Sequence, residues 1–267
     1  ILFLYLIMLN YITSGNGHNQ IIFIHGNSQS SDYWKYLLES TLKDNYSLVA
    51  LDLPGCGKSF KSETPDKDYS IRGLSKNVKE FISKFDSKEY VVVAFSLAAN
   101  VIGEIAQELN NCKGILLLSP TIIGFSLTPA DILKPNPNLV PLFTATTTEE
   151  QLNTLTEELG YKLPSSIKKE IKTIYNNVDP NFRTSMAASI ALGDYSDELQ
   201  NVQNSHLPIA VVFGEEDKLC FNDYIDKTLL TQWRGKSILV PNSGHCVMLD
   251  QPYELIKIVN EFATHCF

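Results

Sequence analysis

The 267-residue chain is predicted to fold as an α/β protein, with a mostly parallel central sheet flanked by helices and a helical insertion. Three observations predict it. Short apolar runs alternate with segments of helical periodicity from Ile21 to Leu118, the rhythm of parallel strands joined by right-handed crossovers. That rhythm breaks between Ser119 and about Leu207, where helical signals follow one another without strands. It then resumes from Pro208 to the end. The division is therefore a core of residues 1–118 and 208–267 with a helical cap at 119–207. A chain that is 44% hydrophobic and 19% charged can bury a core for such a domain.

The elements follow in order. Ile1 to Leu9 is strongly apolar but too short to span a bilayer, and it lacks a basic flank and a small-residue cleavage site; it reads as an edge strand. Ser14–Gly17 is a turn, and Ile21–Ile24 a buried strand. Ser31 is a good N-cap for the next helix. Ser47–Leu51 is a strand, and Ser70 caps a helix with Leu74, Val78, Phe81, Ile82 and Phe85 on one face. Val91–Val93 is a β-branched strand, and a helix covers Ala98 to Leu109. Gly114–Leu118 is the last strand before the cap. Within the cap, Thr147-Thr-Glu-Glu150 forms a capping box, Gly160 a stop, and Asp179-Pro180 opens a helix that Gly193 ends. Strands at Pro208–Phe213 and Ser237–Val240 and a helix from Tyr253 to Phe262 complete the core.

Ser96 sits at the tip of a strand–turn–helix with alanines two before and two after. That is the geometry of a nucleophile elbow, although the usual pattern has glycines where Ala94 and Ala98 stand. The turn lifts the hydroxyl off the strand end and aims the Leu97 amide at the oxygen of a reacting carbonyl. A serine needs a base. Asp217 follows the strand ending at Phe213, and His245 follows the strand ending at Val240. The order Ser96, Asp217, His245 is nucleophile, acid, base. Each residue lies past the C-terminal end of a predicted parallel strand, where open α/β sheets place their sites. Glu215 and Glu216 compete with Asp217 for the acid.

With Ile24-His-Gly-Asn27, Asp52-Leu-Pro-Gly-Cys-Gly-Lys-Ser59, Phe213-Gly-Glu-Glu-Asp217 and Pro241-Asn-Ser-Gly-His245, the chain resembles the α/β-hydrolase superfamily from about Leu9 onward, and within it the small capped esterase and enol-lactonase-like branch. The resemblance implies the α/β-hydrolase fold, favours Asp217 as acid, assigns the Asn27 amide to an oxyanion hole with that of Leu97, and gives His25 a packing role. It implies a serine hydrolase for a small carboxylic ester, lactone or thioester. Superfamily members that cleave haloalkanes and epoxides carry aspartate at the elbow, so Ser96 argues against those reactions. C–C bond hydrolysis, aminopeptidase and perhydrolase activities share the triad, and a non-catalytic ligand receptor on the same scaffold is an alternative from another class.

A net charge of −8 argues against nucleic acid or an anionic membrane as partner. Five scattered cysteines, none in C-x-x-C, suit reduced thiols in a cytoplasmic protein, with Cys220 and Cys246 packing. The run Gly55-Cys-Gly-Lys-Ser59 is not a phosphate loop, since Asp52 stands where its first glycine belongs. No residues show zinc spacing, and no G-x-G-x-x-G opens a helix, so neither metal nor cofactor is expected. The expected partner is a small-molecule substrate, the expected state a monomer or homodimer. Phe125, Leu127, Phe143 and Leu152 are expected to wall an apolar pocket. A histidine base must be neutral, so activity is expected to fall below roughly pH 6.5.

Overall fold

The computed structural model describes residues 9–85 and 88–267. The apolar run expected as an edge strand lies, but for Leu9, outside the described residues. The edge strand observed is β1 (Tyr11–Ser14), which runs antiparallel to β3 (Ser47–Leu51). Beside β3 come β2 (Gln20–Ile24), β4 (Tyr90–Phe95), β5 (Cys112–Leu118), β6 (Ile209–Gly214) and β7 (Ile238–Val240), every one of these pairs parallel. β2, β4 and β6 are buried along their whole length, which is why they read as continuous apolar runs without alternation.

The parallel register brings the strand ends level. Ile24 pairs with Ala94, Phe95 with Leu118, Leu118 with Val212, and Gly214 with Val240. The loops that leave β2, β4, β6 and β7 therefore emerge along one edge of the sheet. Residues far apart in sequence meet there.

Among the described residues, seven longer helices surround this frame. They are α1 (Ile71–Ile82), α2 (Leu97–Ile105), α3 (Glu149–Leu159), α4 (Ser165–Asn177), α5 (Pro180–Ala191), α6 (Glu198–Asn204) and α7 (Pro252–Cys266). Helices α3 to α6 all lie between β5 and β6 in the chain. Ser70 caps α1 by accepting the Gly73 amide, and Asp179 caps α5 by accepting that of Asn181. None of the helices among the described residues is long and apolar enough to cross a membrane.

Local punctuation differs from the sequence reading in places. Ser30, not Ser31, caps the turn after β2, since its hydroxyl reaches the Asp32 amide. The capping box uses Thr148 and Gln151, because a glutamine at the third position can return the hydrogen bond as well as a glutamate. Gly160 stops α3 where the sequence places the stop, in an extended conformation with φ −131°. The helix after Ser96 ends at Ile105, and a 3₁₀ turn (Ala106–Glu108) follows.

Candidate functional site

Ser96 is the N-cap of α2, with φ 53° and ψ −117°. A non-glycine residue on the positive-φ side is strained, and such strain persists only where its surroundings enforce it. Here the Ser96 amide donates to the Leu118 carbonyl at 2.9 Å, and the Ser96 carbonyl accepts the Ala99 amide at 2.9 Å. Ala94 and Ala98 are fully buried, so methyl groups fit where the usual elbow has glycines. Gly26 leaves little room for more: a Cβ there would meet Ser96 Cβ at 3.0 Å and Phe95 at 3.3 Å, so these neighbours would have to give by a few tenths of an ångström. Its amide is held by Gln29 Oε1 at 2.9 Å.

His245 Nε2 lies 3.0 Å from Ser96 Oγ, and His245 Nδ1 lies 2.8 Å from Asp217 Oδ2. The other carboxylate oxygen of Asp217 accepts the amides of Leu219 at 2.8 Å and Cys220 at 3.0 Å. Three donors therefore engage both oxygens of a fully buried carboxylate and fix its direction. With Nδ1–H donated to Asp217, Nε2 is left to accept the serine proton. The Phe95 ring packs on the imidazole with centroids 5.1 Å apart, and Ser119 Oγ donates to the His245 carbonyl at 2.9 Å. His25 stands elsewhere: its Nδ1 donates to the Gly26 carbonyl and its Nε2 accepts the Leu53 amide, tying the end of β2 to that of β3. Burial holds its pKa below the ordinary imidazole value.

Asn27 and Leu97 line one pocket together with Ser96. The Leu97 amide belongs to the first residue of α2, where no intrahelical acceptor is available. The Asn27 side chain is pinned by donating to the Leu142 carbonyl at 2.7 Å. The pocket has a volume of about 100 Å³ and runs from Ser96 and His245 to apolar walls that include Leu133, Leu139, Leu142, Met186 and Ile190. Of the four residues expected to wall it, Phe143 does; Phe125 is largely exposed, Leu127 lies elsewhere, and Leu152 is buried inside the α3 packing. The apolar character of a helical segment does not say which of its faces meets the cavity. A larger, open groove of about 910 Å³ along α1 touches none of Ser96, Asp217 and His245.

The fold also gathers what linear spacing did not. Donor atoms of Asp217, Cys220 and His245 lie within 4.8 Å of one another. Zinc spacing was absent from the sequence because two separate loops supply these groups. Both Asp217 oxygens and both His245 nitrogens already have hydrogen-bond partners, and burial pushes the Cys220 thiol well up, which keeps it protonated. Behind the pocket lies Glu198, a residue the sequence reading passed over. It is fully buried, and desolvation pushes its carboxyl up to about 8. Asn100, four residues after Ser96, lines the pocket too; that one-turn spacing was the available signal for it.

A family model described as "Alpha/beta hydrolase family" matches residues 21–258. Among curated relatives, Monoacylglycerol lipase ABHD6 of Homo sapiens is 22% identical over 262 residues, 92% of this chain and 76% of the relative. Pimeloyl-[acyl-carrier protein] methyl ester esterase of Wigglesworthia glossinidia brevipalpis is 22% identical over 257 residues, 93% of this chain and 95% of the relative. Among solved structures, N-acyl homoserine lactonase AidH complexed with N-butanoyl homoserine superposes with a TM-score of 0.87 at 23% identity, covering 97% of this chain and 93% of that one. An esterase from Exiguobacterium antarcticum superposes at 0.77 with 14% identity, covering 96% and 95%. At these identities the superpositions speak to the fold.

Proposed function

This chain belongs to the alpha/beta hydrolase family, and from that premise we propose that it is a serine hydrolase of small carboxylic esters, lactones or thioesters. The observation that carries the proposal is the continuous hydrogen-bonded line Asp217–His245–Ser96, ending at an apolar pocket. The line runs in the direction that activates a hydroxyl. His245 takes the Ser96 proton as Oγ attacks the carbonyl. The amides of Asn27 and Leu97 hold the oxyanion. His245 passes the proton to the leaving alcohol or thiol, an acyl-enzyme remains, and His245 then activates the water that releases the acid. Asp217 keeps the imidazole in the Nδ1–H form and balances its charge once it is protonated.

The same reading gives residues 119–207 the role of a cap domain, since this segment supplies Leu133, Leu139, Met186 and Ile190 to the pocket opposite the sheet edge. Curated relatives named as a monoacylglycerol lipase and a pimeloyl-[acyl-carrier protein] methyl ester esterase support ester chemistry. The five free thiols suit a reducing, cytoplasmic setting.

The test is stoichiometric labelling with a fluorophosphonate, alongside turnover of p-nitrophenyl butyrate, on wild type and Ser96→Ala. Label and turnover are expected in the wild type and absent from the variant. A folded wild type that takes no label and turns over nothing would overturn the proposal and point to a ligand receptor.

A further inference from the structure

One chain of hydrogen bonds stands behind the pocket. Glu198 Oε2 accepts the Ile123 amide at 2.9 Å and a proton of Asn100 Nδ2 at 2.8 Å. The second Nδ2 proton goes to the Thr121 carbonyl at 2.8 Å, so this amide has no proton left. Asn100 Oδ1 accepts the hydroxyl proton of Thr121 at 2.7 Å. The direction of the chain is fixed. Turning the Asn100 amide over would set its oxygen against the Thr121 carbonyl, which has no proton to give, and would take from Glu198 Oε2 one of the two N–H groups it accepts.

Asn100, Thr121 and Ile123 all line the pocket, and Asn100 is one helical turn from Ser96. Thr121 Oγ1 has one proton and gives it to Asn100. The side chains of this wall therefore offer a substrate lone pairs and no proton. An acceptor in an otherwise apolar pocket discriminates, because a ligand that brings no donor leaves it desolvated and unpaired.

We propose that Thr121 Oγ1 accepts a hydrogen bond from the substrate, and that the site takes esters or lactones carrying an N–H or O–H donor next to the reacting carbonyl, such as α-acylamino esters and α-hydroxy esters. Glu198 and Asn100 are positioning residues: they hold the Thr121 hydroxyl turned away from the role of donor. The inference rests on the serine-hydrolase reading above and names its substrate class.

The test compares kcat/KM for two matched pairs. One is phenyl 2-acetamidobutanoate against phenyl 2-ethyl-4-oxopentanoate, in which CH₂ replaces N–H. The other is phenyl 2-hydroxybutanoate against phenyl butanoate. Wild type is expected to favour the donor in at least one pair by roughly tenfold. The pair that shows the preference tells an amide donor from a hydroxyl. Thr121→Val, which keeps the shape and removes the acceptor, is expected to bring the ratio to within twofold. Thr121→Ser and Glu198→Gln are expected to keep it, since each preserves the acceptor it replaces. Wild-type ratios near one in both pairs, or a preference that survives in Thr121→Val, would overturn the inference while Ser96 still takes a fluorophosphonate. Should Thr121→Val not fold, the wild-type ratios decide. Loss of labelling and of all turnover would instead sink the hydrolase reading, and this inference with it.

Discussion

Glu216 and Ser243 exchange two hydrogen bonds: the Glu216 amide donates to the Ser243 carbonyl at 3.0 Å, and Glu216 Oε2 accepts the Ser243 amide at 2.9 Å. The pair joins the loop after β6 to the loop after β7. Asp217 and His245 are thus fixed to one another by backbone as well as by their own contact. Glu216 is occupied as a clamp, and of the three acidic residues in the loop it is Asp217 that meets the imidazole.

Each acid therefore has its own expected effect. Asp217→Asn should lower kcat/KM by roughly 10⁴, because an amide facing Nδ1 favours the wrong tautomer. Glu215→Gln, whose side chain is exposed, should stay within about twofold. Glu216→Gln should lower the melting temperature more than it lowers activity. Steady-state ester kinetics beside thermal melts separate the three. A larger activity loss in Glu215→Gln than in Asp217→Asn would reassign the acid.

Ser96 and His245 act on one proton, so their losses should not add. Ser96→Ala and His245→Ala are each expected to reduce kcat by on the order of 10⁴–10⁶, and the double variant to fall no further than the worse single. Additive losses would mean that the two side chains, 3.0 Å apart, serve separate steps.

Acyl selectivity should follow the cap side of the pocket. Met186 is almost completely buried and lines the cavity. Met186→Ala should move the preferred p-nitrophenyl ester to a longer chain, with about fourfold gained per extra methylene accommodated. It should also destabilise the fold by roughly 2–5 kcal/mol, as large-to-small core changes do. An unchanged chain-length profile in a folded variant would remove Met186 from the acyl wall.

Most of the frame was legible in the sequence because periodicity reports burial directly. The Val91–Val93 run and the Ser47–Leu51 run are strands since both their faces are covered. Ser96, Asp217 and His245 were legible as candidates because each follows a strand end, and parallel register brings those ends level. The pocket wall was not. Leu152 and Leu139 are equally apolar in sequence, yet α3 buries one within its own packing while the turn Pro137–Leu142 turns the other toward the cavity. Glu198 was invisible for a different reason. It reads as one more surface acid, and only the meeting of α6 with α2 and the Thr121–Ile123 segment buries it.

That burial gives the stability of the protein a pH dependence whose sign can be worked out. The folded-state pKa of Glu198 is raised to about 8 from an ordinary 4.5, with desolvation the largest cause and Glu104 and Asp197 adding to it; the Ile123 amide and the Asn100 side chain pull the other way. The Tyr224 hydroxyl, packed nearby, donates to the Pro120 and Ile122 carbonyls. Below pH 4.5 the carboxyl is protonated folded or unfolded and contributes no slope. Between 4.5 and 8 the folded chain keeps a proton that the unfolded chain releases, so stability falls as pH rises. Above 8 both states are ionised and the full penalty, on the order of 3–5 kcal/mol, is constant. Glu198→Gln removes the titration and keeps an acceptor for Ile123 and Asn100. The free energy of unfolding of the variant relative to wild type should therefore rise from pH 5 to pH 8 and level off beyond. Urea melts of both proteins from pH 5 to 9 measure that difference; the slope carries the test, because the amide adds a pH-independent offset of its own. A difference that stays flat across the range would mean that Glu198 is ionised in the folded protein, and its Asn100 and Ile123 contacts would then be charge-assisted ones.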